Sequence, residues 1–215
     1  MRETVIESIN KNKVIVIVRG VDTENCIKLA EALYEGGIRL MEITYNQSDP
    51  SSWETTARTI GDIAEKFEGR LFAGAGTVTN TRLVEMTSEV GGKYIISPNT
   101  NPDVIRKTRE LNLVSIPGAM TPTEILSAYE IGGDFIKLFP SSDLGVKYVK
   151  SLVAPLSNVP LLATGGITMD NAKAFLDAGC VGLGVGGALA NKKAIAEGNY
   201  ELITATAREF ISSIS

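Results

Sequence analysis

The stretch TPTEILSAYEIGGDFIKLF, residues 121–139, carries the fold in miniature. Thr121-Pro122-Thr123-Glu124 opens a helix, with proline at the first helical position, where its missing N–H leaves no hydrogen bond unmade. Gly132-Gly133 stops that helix, and the β-branched and aromatic run Phe135–Phe139 reads as a strand. The unit recurs along the chain. Thr23 opens Glu24–Tyr34, which stops at Gly36-Gly37 before a strand at Arg39–Thr44. Thr79 or Asn80 opens a helix that stops at Gly91-Gly92 before Tyr94–Ser97. Thr168-Met169-Asp170-Asn171 opens another, stopped at Gly179 before Gly182–Val185. The runs Val14–Val18, Arg70–Ala73, Val114–Pro117 and Pro160–Ala163 complete eight strands.

Eight strands alternating with helices, and no linker between them, predict an α/β protein: one (β/α)8 TIM barrel domain spanning residues 1–215. The competing architecture is an open doubly wound sheet. It ordinarily carries a glycine-rich first loop, which Arg19-Gly20-Val21-Asp22 does not provide.

Composition narrows the function. Of 215 residues, 44% are hydrophobic, enough for one large core, and the net charge of −4 argues against a nucleic-acid or membrane-surface partner. The apolar run Val14–Val18 is too short to span a bilayer and no small-residue cleavage site follows it, so the expected compartment is the cytoplasm. There is no histidine, which removes imidazole acid/base chemistry and His-ligated zinc. Cys26 and Cys180 stand far apart and in no metal-ligand spacing, so reduced, packed thiols are expected and no metal site. Chemistry must come from Lys, Glu, Asp, Tyr, Thr, Ser or the backbone.

In a barrel of this kind the site is built at the C-terminal strand ends. Those positions hold Arg19, Glu42 and Thr44, Gly74-Ala75-Gly76-Thr77, Pro98-Asn99, Pro117-Gly118, Lys137, Thr164-Gly165-Gly166 and Gly186-Gly187. Strand alternation turns Ile136 and Leu138 toward the helices and Lys137 into the barrel. In the second strand Met41 and Ile43 face the helices, leaving Leu40, Glu42 and Thr44 inward. An ammonium in an apolar strand is costly to desolvate, and losing its proton relieves that cost. A neutral lysine amine is a nucleophile suited to a Schiff base with a carbonyl substrate, with the inward carboxyl as proton shuttle. A buried Lys–Glu pair of purely structural role is the bland alternative.

Thr164-Gly165-Gly166 and Gly186-Gly187 follow the seventh and eighth strands, the usual place for a barrel to bind phosphate through backbone N–H groups and a short helix N-terminus. Tight turns alone would also use glycine there. Arg19 is a candidate to neutralise a substrate carboxylate, against the reading of an ordinary strand-end arginine.

These pieces, in order, resemble the 2-dehydro-3-deoxy-6-phosphogluconate aldolase / 4-hydroxy-2-oxoglutarate aldolase family. They are Val18-Arg19-Gly20, Gly37–Thr44, Gly74–Val78, Ile96-Ser97-Pro98, Pro117-Gly118, Ile136–Pro140 and Thr164–Ile167. The resemblance implies a class I pyruvate aldolase on a (β/α)8 barrel, a homotrimer, with no metal or organic cofactor. It makes Lys137 the Schiff-base lysine and Glu42 the general acid/base. Thr77 and Pro98 would line the pyruvyl pocket, and Thr164, Gly165 and Gly166 would hold the phosphorylated tail of a 2-keto-3-deoxy sugar acid, with Gly186 and Gly187 beside them.

Two positions depart from the family pattern. Asn46 stands where many relatives carry a carboxylate-binding arginine, a task for which Arg19 is the candidate here. Gly187 stands where many carry a serine, leaving the backbone as donor. Phe139-Pro140-Ser141-Ser142 with Ser97-Pro98-Asn99 resembles the 2-dehydro-3-deoxy-6-phosphogalactonate branch, so both C4 epimers, and 4-hydroxy-2-oxoglutarate, stand as candidate substrates. A non-covalent phosphosugar isomerase or epimerase on the same barrel is the alternative from another reaction class.

Overall fold

The computed structural model describes residues 1–215. Its strands are β1 (Val14–Val18), β2 (Leu40–Thr44), β3 (Phe72–Gly76), β4 (Tyr94–Ile96), β5 (Val114–Ile116), β6 (Gly118–Ala119), β7 (Ile136–Leu138), β8 (Leu161–Thr164) and β9 (Gly182–Val185). They pair in parallel in the order β5-β4-β3-β2-β1-β9-β8-β7-β6. β5 and β6 are two halves of one stave, separated at Pro117, which has no N–H to give a ladder. That stave closes the ring. The N–H groups of Asp134 and Phe135 donate to the Ser115 carbonyl, and that of Lys137 donates to the Pro117 carbonyl at 2.9 Å. Eight staves result, and the architecture is the expected (β/α)8 barrel.

The helices are α1 (Arg2–Asn12), α2 (Thr23–Glu35), α3 (Trp53–Lys66), α4 (Thr81–Glu89), α5 (Pro102–Glu110), α6 (Pro122–Ile131), α7 (Ser141–Val153), α8 (Met169–Asp177), α9 (Lys192–Ala196) and α10 (Tyr200–Ser213). Several begin where their sequences put them. On α6 the Thr121 hydroxyl accepts the Glu124 N–H, and the Glu124 carboxylate accepts the Thr121 N–H at 2.8 Å. Asn80 caps α4. The cap of α2 is Asp22 rather than Thr23, because the Asp22 carboxylate accepts the Asn25 N–H at 3.0 Å and Thr23 has already entered the helix.

One strand falls elsewhere than expected. Arg70–Ala73 reads as the third strand, but the ladder runs from Phe72 to Gly76. Arg70 and Leu71 instead turn back onto the Phe67 carbonyl. Ala73-Gly74-Ala75-Gly76 has poor strand propensity on its own. It pairs with all of β2 because its inner face must be bare: a Cβ at Gly74 would meet the Tyr94 ring, and one at Gly76 the Glu42 carboxyl.

The apolar interior divides in two. Ile136, Leu138, Met41 and Ile43 belong to the layer between strands and helices. Leu40, Ile15, Tyr94, Phe135 and Leu162 fill the barrel itself. The N-terminal stretch, which reads as an ordinary polar–apolar mix, forms α1 and closes the barrel floor with Val5 and Ile9, one turn apart on one face. Arg2 anchors it by pairing with Asp134, which also holds Arg109 at 2.7 Å. Cys26 and Cys180 are free and buried, and burial pushes both thiols up to about 12. No helix is long and apolar enough to cross a membrane.

Candidate active site

With its floor plugged, the barrel is open only at the C-terminal strand ends, and the inward charges lie under that opening. Lys137 projects from β7 with 9% of its surface exposed, and Glu42 from β2 with 1%. Desolvation dominates both. It lowers the Lys137 amine below its ordinary value, an effect opposed by Glu42 and reinforced by Arg19. It raises the Glu42 carboxyl, opposed by Lys137 and then Arg19. The Lys137 Nζ lies 5.1 Å from the centre of the Phe139 ring.

Lys137 and Glu42 do not form the tight ion pair that a structural role would require. No carboxylate oxygen comes within 4.0 Å of Nζ, and Glu42 Oε2 has no hydrogen-bond partner. They flank a small interior cavity floored by Ile15, Ile17, Ile116 and Leu162, with Thr164 on its edge. The amine and the carboxyl are thus kept apart in one low-dielectric pocket, where fixed charges act more strongly than in water.

The other expected residues ring the opening. Arg19 is exposed at the end of β1, and its guanidinium donates to the Thr77 hydroxyl at 2.9 Å. Thr77 follows β3 in the left-handed region, φ 58°. Its carbonyl accepts from the Gln47 side chain at 2.7 Å, and Gln47 in turn accepts from Thr79. Asn46 turns its side chain to the Ser48 N–H and hydroxyl, and its carbonyl accepts the Trp53 indole N–H. The cation at this edge of the site is therefore Arg19. Pro98 stands exposed on the rim beyond β4, its carbonyl so close to Gly118 that a Cβ there would lie 2.5 Å away.

On the opposite edge, Gly165 and Gly166 adopt φ 92° and 69°, conformations that suit glycine. Thr164 is buried beside them. Beyond β9 the chain makes one turn, closed by the Leu189 and Ala190 N–H groups on the Gly186 carbonyl. The expected short helix is thus a single turn, and the next helix starts only at Lys192. The N–H groups of Gly186, Gly187 and Ala188 make no hydrogen bond within the chain, and no side chain crowds Gly186 or Gly187.

Two contributors escape a reading of strand ends. Gln47 lies in a polar loop and holds the Thr77 turn only through tertiary contact. Ser141 donates to the Leu138 carbonyl at 2.7 Å and accepts the Thr164 N–H at 3.0 Å, tying the end of β7 to the end of β8. Its place in Phe139-Pro140-Ser141-Ser142 was visible; its bridge was not. No group of three or more His, Cys, Asp or Glu side chains is placed so that it could hold a metal ion.

The family model for KDPG and KHG aldolases matches residues 5–206. This chain belongs to that aldolase family. Among its relatives, the 2-dehydro-3-deoxy-6-phosphogalactonate aldolase of Escherichia coli K12 is 33% identical over 82% of this chain and 83% of its own length. The 2-dehydro-3-deoxy-phosphogluconate aldolase of Dickeya dadantii is 31% identical over 88% and 86%. A solved structure described as native KDPGal superposes with a TM-score of 0.82 over 93% of both chains at 31% identity. A Legionella pneumophila KDPG aldolase, captured with pyruvate as a covalent carbinolamine, shares the fold at TM-score 0.83 and 24% identity. The protein is a carbon–carbon lyase of the class I pyruvate aldolase type.

Proposed function

We propose that the enzyme cleaves a 2-dehydro-3-deoxy-6-phospho sugar acid to pyruvate and glyceraldehyde 3-phosphate through a Schiff base on Lys137. The observation that carries this reading is the desolvated amine of Lys137 facing, but not paired with, the buried Glu42 carboxyl. The neutral amine adds to the C2 ketone, and the carbinolamine takes up a proton from solvent and loses water to give a protonated Schiff base, the electron sink. Glu42, through a water, takes the C4 hydroxyl proton. The C3–C4 bond breaks, its electron pair moves into the iminium, and the aldehyde departs. Glu42 returns the proton to C3 of the enamine, and water releases pyruvate.

Arg19 binds the substrate carboxylate in this reading, with Thr77 beside it and Pro98 lining the pyruvyl pocket. The support is the Arg19–Thr77 hydrogen bond and the commitment of Asn46 to Ser48. The phosphate lies between Thr164-Gly165-Gly166 and the unpaired N–H groups at Gly186 and Gly187. Identities of 33% and 34% to galactonate-type relatives favour the galactonate epimer. Cleavage of the gluconate epimer would be the Entner–Doudoroff step, and 4-hydroxy-2-oxoglutarate, giving pyruvate and glyoxylate, is a third substrate to assay. The reading includes a cytoplasmic homotrimer, supported by family membership, the free cysteines and the exposed apolar Met120 and Leu126.

Borohydride added with pyruvate is expected to fix one pyruvate adduct on Lys137, located by peptide mass spectrometry. An unchanged intact mass would refute Lys137 as the Schiff-base residue.

A further inference from the structure

The loop Thr164-Gly165-Gly166-Ile167 is tied down on one side and bare on the other. The Thr164 N–H donates to the Ser141 hydroxyl at 3.0 Å, and the Gly165 carbonyl accepts the Ser142 N–H at 3.0 Å. The Gly166 carbonyl accepts Nδ2 of Asn171 at 2.9 Å. The N–H groups of Gly165, Gly166 and Ile167, by contrast, make no hydrogen bond within the chain. In a trans peptide the C=O and the N–H that follows it point in opposite directions, so each tied carbonyl aims one bare N–H. Ser142 follows β7, and β8 lies between β7 and β9. Holding the Gly165 carbonyl on the β7 side turns the Gly166 N–H toward β9, beyond which Gly186, Gly187 and Ala188 keep bare N–H groups. Asn171 stands in the first turn of α8, so its hold on Gly166 turns the Ile167 N–H away from that helix.

Helix capping does not account for the Asn171 amide. Its Oδ1 accepts the Thr168 N–H at 2.9 Å and so closes the start of α8. A carboxylate would accept that N–H equally well and would suit the positive end of the helix dipole. An amide offers a donor in addition, and here the donor goes to Gly166. That extra bond holds a loop conformation, φ 92° at Gly165 and 69° at Gly166, that glycine permits but does not by itself fix.

We propose that Asn171 is a positioning residue for the substrate's phosphate: by holding the Gly166 carbonyl it presents the bare N–H groups of the glycine loop to the anion. The proposal rests on the reading that places the phosphate between this loop and Gly186-Gly187. Asn171 itself touches no substrate atom. Without its donor the Gly166–Ile167 peptide is free to rotate, and a carbonyl oxygen turned to the phosphate repels it.

The test compares the parent with Asn171→Ala and Asn171→Asp. Alanine removes both bonds, whereas aspartate keeps the one to Thr168 and loses the one to Gly166. Three readouts are taken: kcat and KM for the phosphorylated sugar acid and for its unphosphorylated counterpart, borohydride trapping with pyruvate, and thermal melting. In both variants KM for the phosphorylated substrate should rise about tenfold or more. Trapping and KM for the unphosphorylated acid should stay near parental values. Melting should separate the two, with Asn171→Ala lowered by loss of the cap and Asn171→Asp close to the parent. A rise in KM shared by both variants is then neither fraying of α8, which aspartate prevents, nor repulsion by a new charge, which alanine lacks. The proposal is overturned if Asn171→Ala keeps the parental KM, or if Asn171→Asp recovers KM along with its melting temperature. It is equally overturned if trapping or use of the unphosphorylated acid worsens in step with the phosphorylated substrate. A parent with no preference for the phosphorylated acid would overturn the phosphate reading, and the proposal with it, while the Schiff-base reading is judged by the parent's trapping alone.

Discussion

Gly76→Ala puts one methyl group into the most constrained point of the site. The new Cβ would lie 2.9 Å from Thr44 Cγ2 and overlap the Glu42 carboxyl, where ordinary contact begins at 3.4 Å. The φ of Gly76 is not in the left-handed region, so alanine meets no backbone penalty and the effect is purely one of space. β2 and β3 are held in full register over five residue pairs and cannot separate, so the carboxyl must move. A shift of about 1 Å in a catalytic group costs roughly a hundredfold in rate, and overpacking of this kind costs about 1–3 kcal/mol in stability.

Lys137, on the far side of the barrel, is untouched by that methyl group. Gly76→Ala should therefore keep pyruvate trapping by borohydride while kcat for aldol cleavage falls about a hundredfold. Cleavage is followed through pyruvate with a lactate dehydrogenase couple, and stability by urea unfolding. A variant with parental kcat would refute the placement of the Glu42 carboxyl over Gly76. Loss of trapping together with kcat would refute the separation of amine and acid/base roles.

Two further perturbations test the electrostatics. The Arg19 cation lowers both the Lys137 amine and the Glu42 carboxyl, so Arg19→Gln lets both rise. Cleavage needs a neutral amine and an ionised carboxylate, hence the rising limb of its pH profile should move to higher pH, with KM up about tenfold or more from the lost charge-assisted bonds. A limb and KM that both stay in place would exclude Arg19 from the site. Glu42→Gln should lower kcat by about 10²–10⁴-fold with trapping retained. It should also change stability in a pH-dependent way. Because the folded-state pKa of Glu42 is raised above its ordinary 4.5, the folded parent binds the extra proton, and the stability this gives is full below about 4.5 and lost as pH rises through the folded value. Glutamine suffers no such loss, so thermal melts should show the variant more stable than the parent at neutral pH and the gap closing toward pH 4.5.

Much of the barrel was legible because it rests on local physics. Gly36-Gly37, Gly91-Gly92 and Gly132-Gly133 end helices by backbone freedom, and Thr121 with Glu124 satisfies helix N–H groups from within four residues. Alternation then assigned Lys137 and Glu42 to the inner face, which the two apolar layers bear out through Ile136, Leu138, Met41 and Ile43. Where a strand obeyed the shape of its neighbours instead, local reading slipped. β3 is built of alanine and glycine because Tyr94 and Glu42 occupy the space in front of it. The role of α1 was equally hidden: Val5 and Ile9 are weak evidence until the open floor they close is known.

The sequence by itself determined the αβ repeat, the absence of imidazole chemistry, and the presence of one inward amine and one inward carboxyl. Each follows from composition or from a period of two along a strand. Only the tertiary structure decided how those charges stand to one another. Whereas the turn of Asn46 onto Ser48 is made within one loop, the separation of those charges, the bond from Arg19 to Thr77 and the burial of Thr44 depend on contacts or packing between segments. Such contacts join residues as far apart as 19 and 77. The desolvation that perturbs Lys137 and Glu42 exists only once eight staves have closed around them, because dielectric environment is a property of the assembled barrel rather than of any stretch of chain.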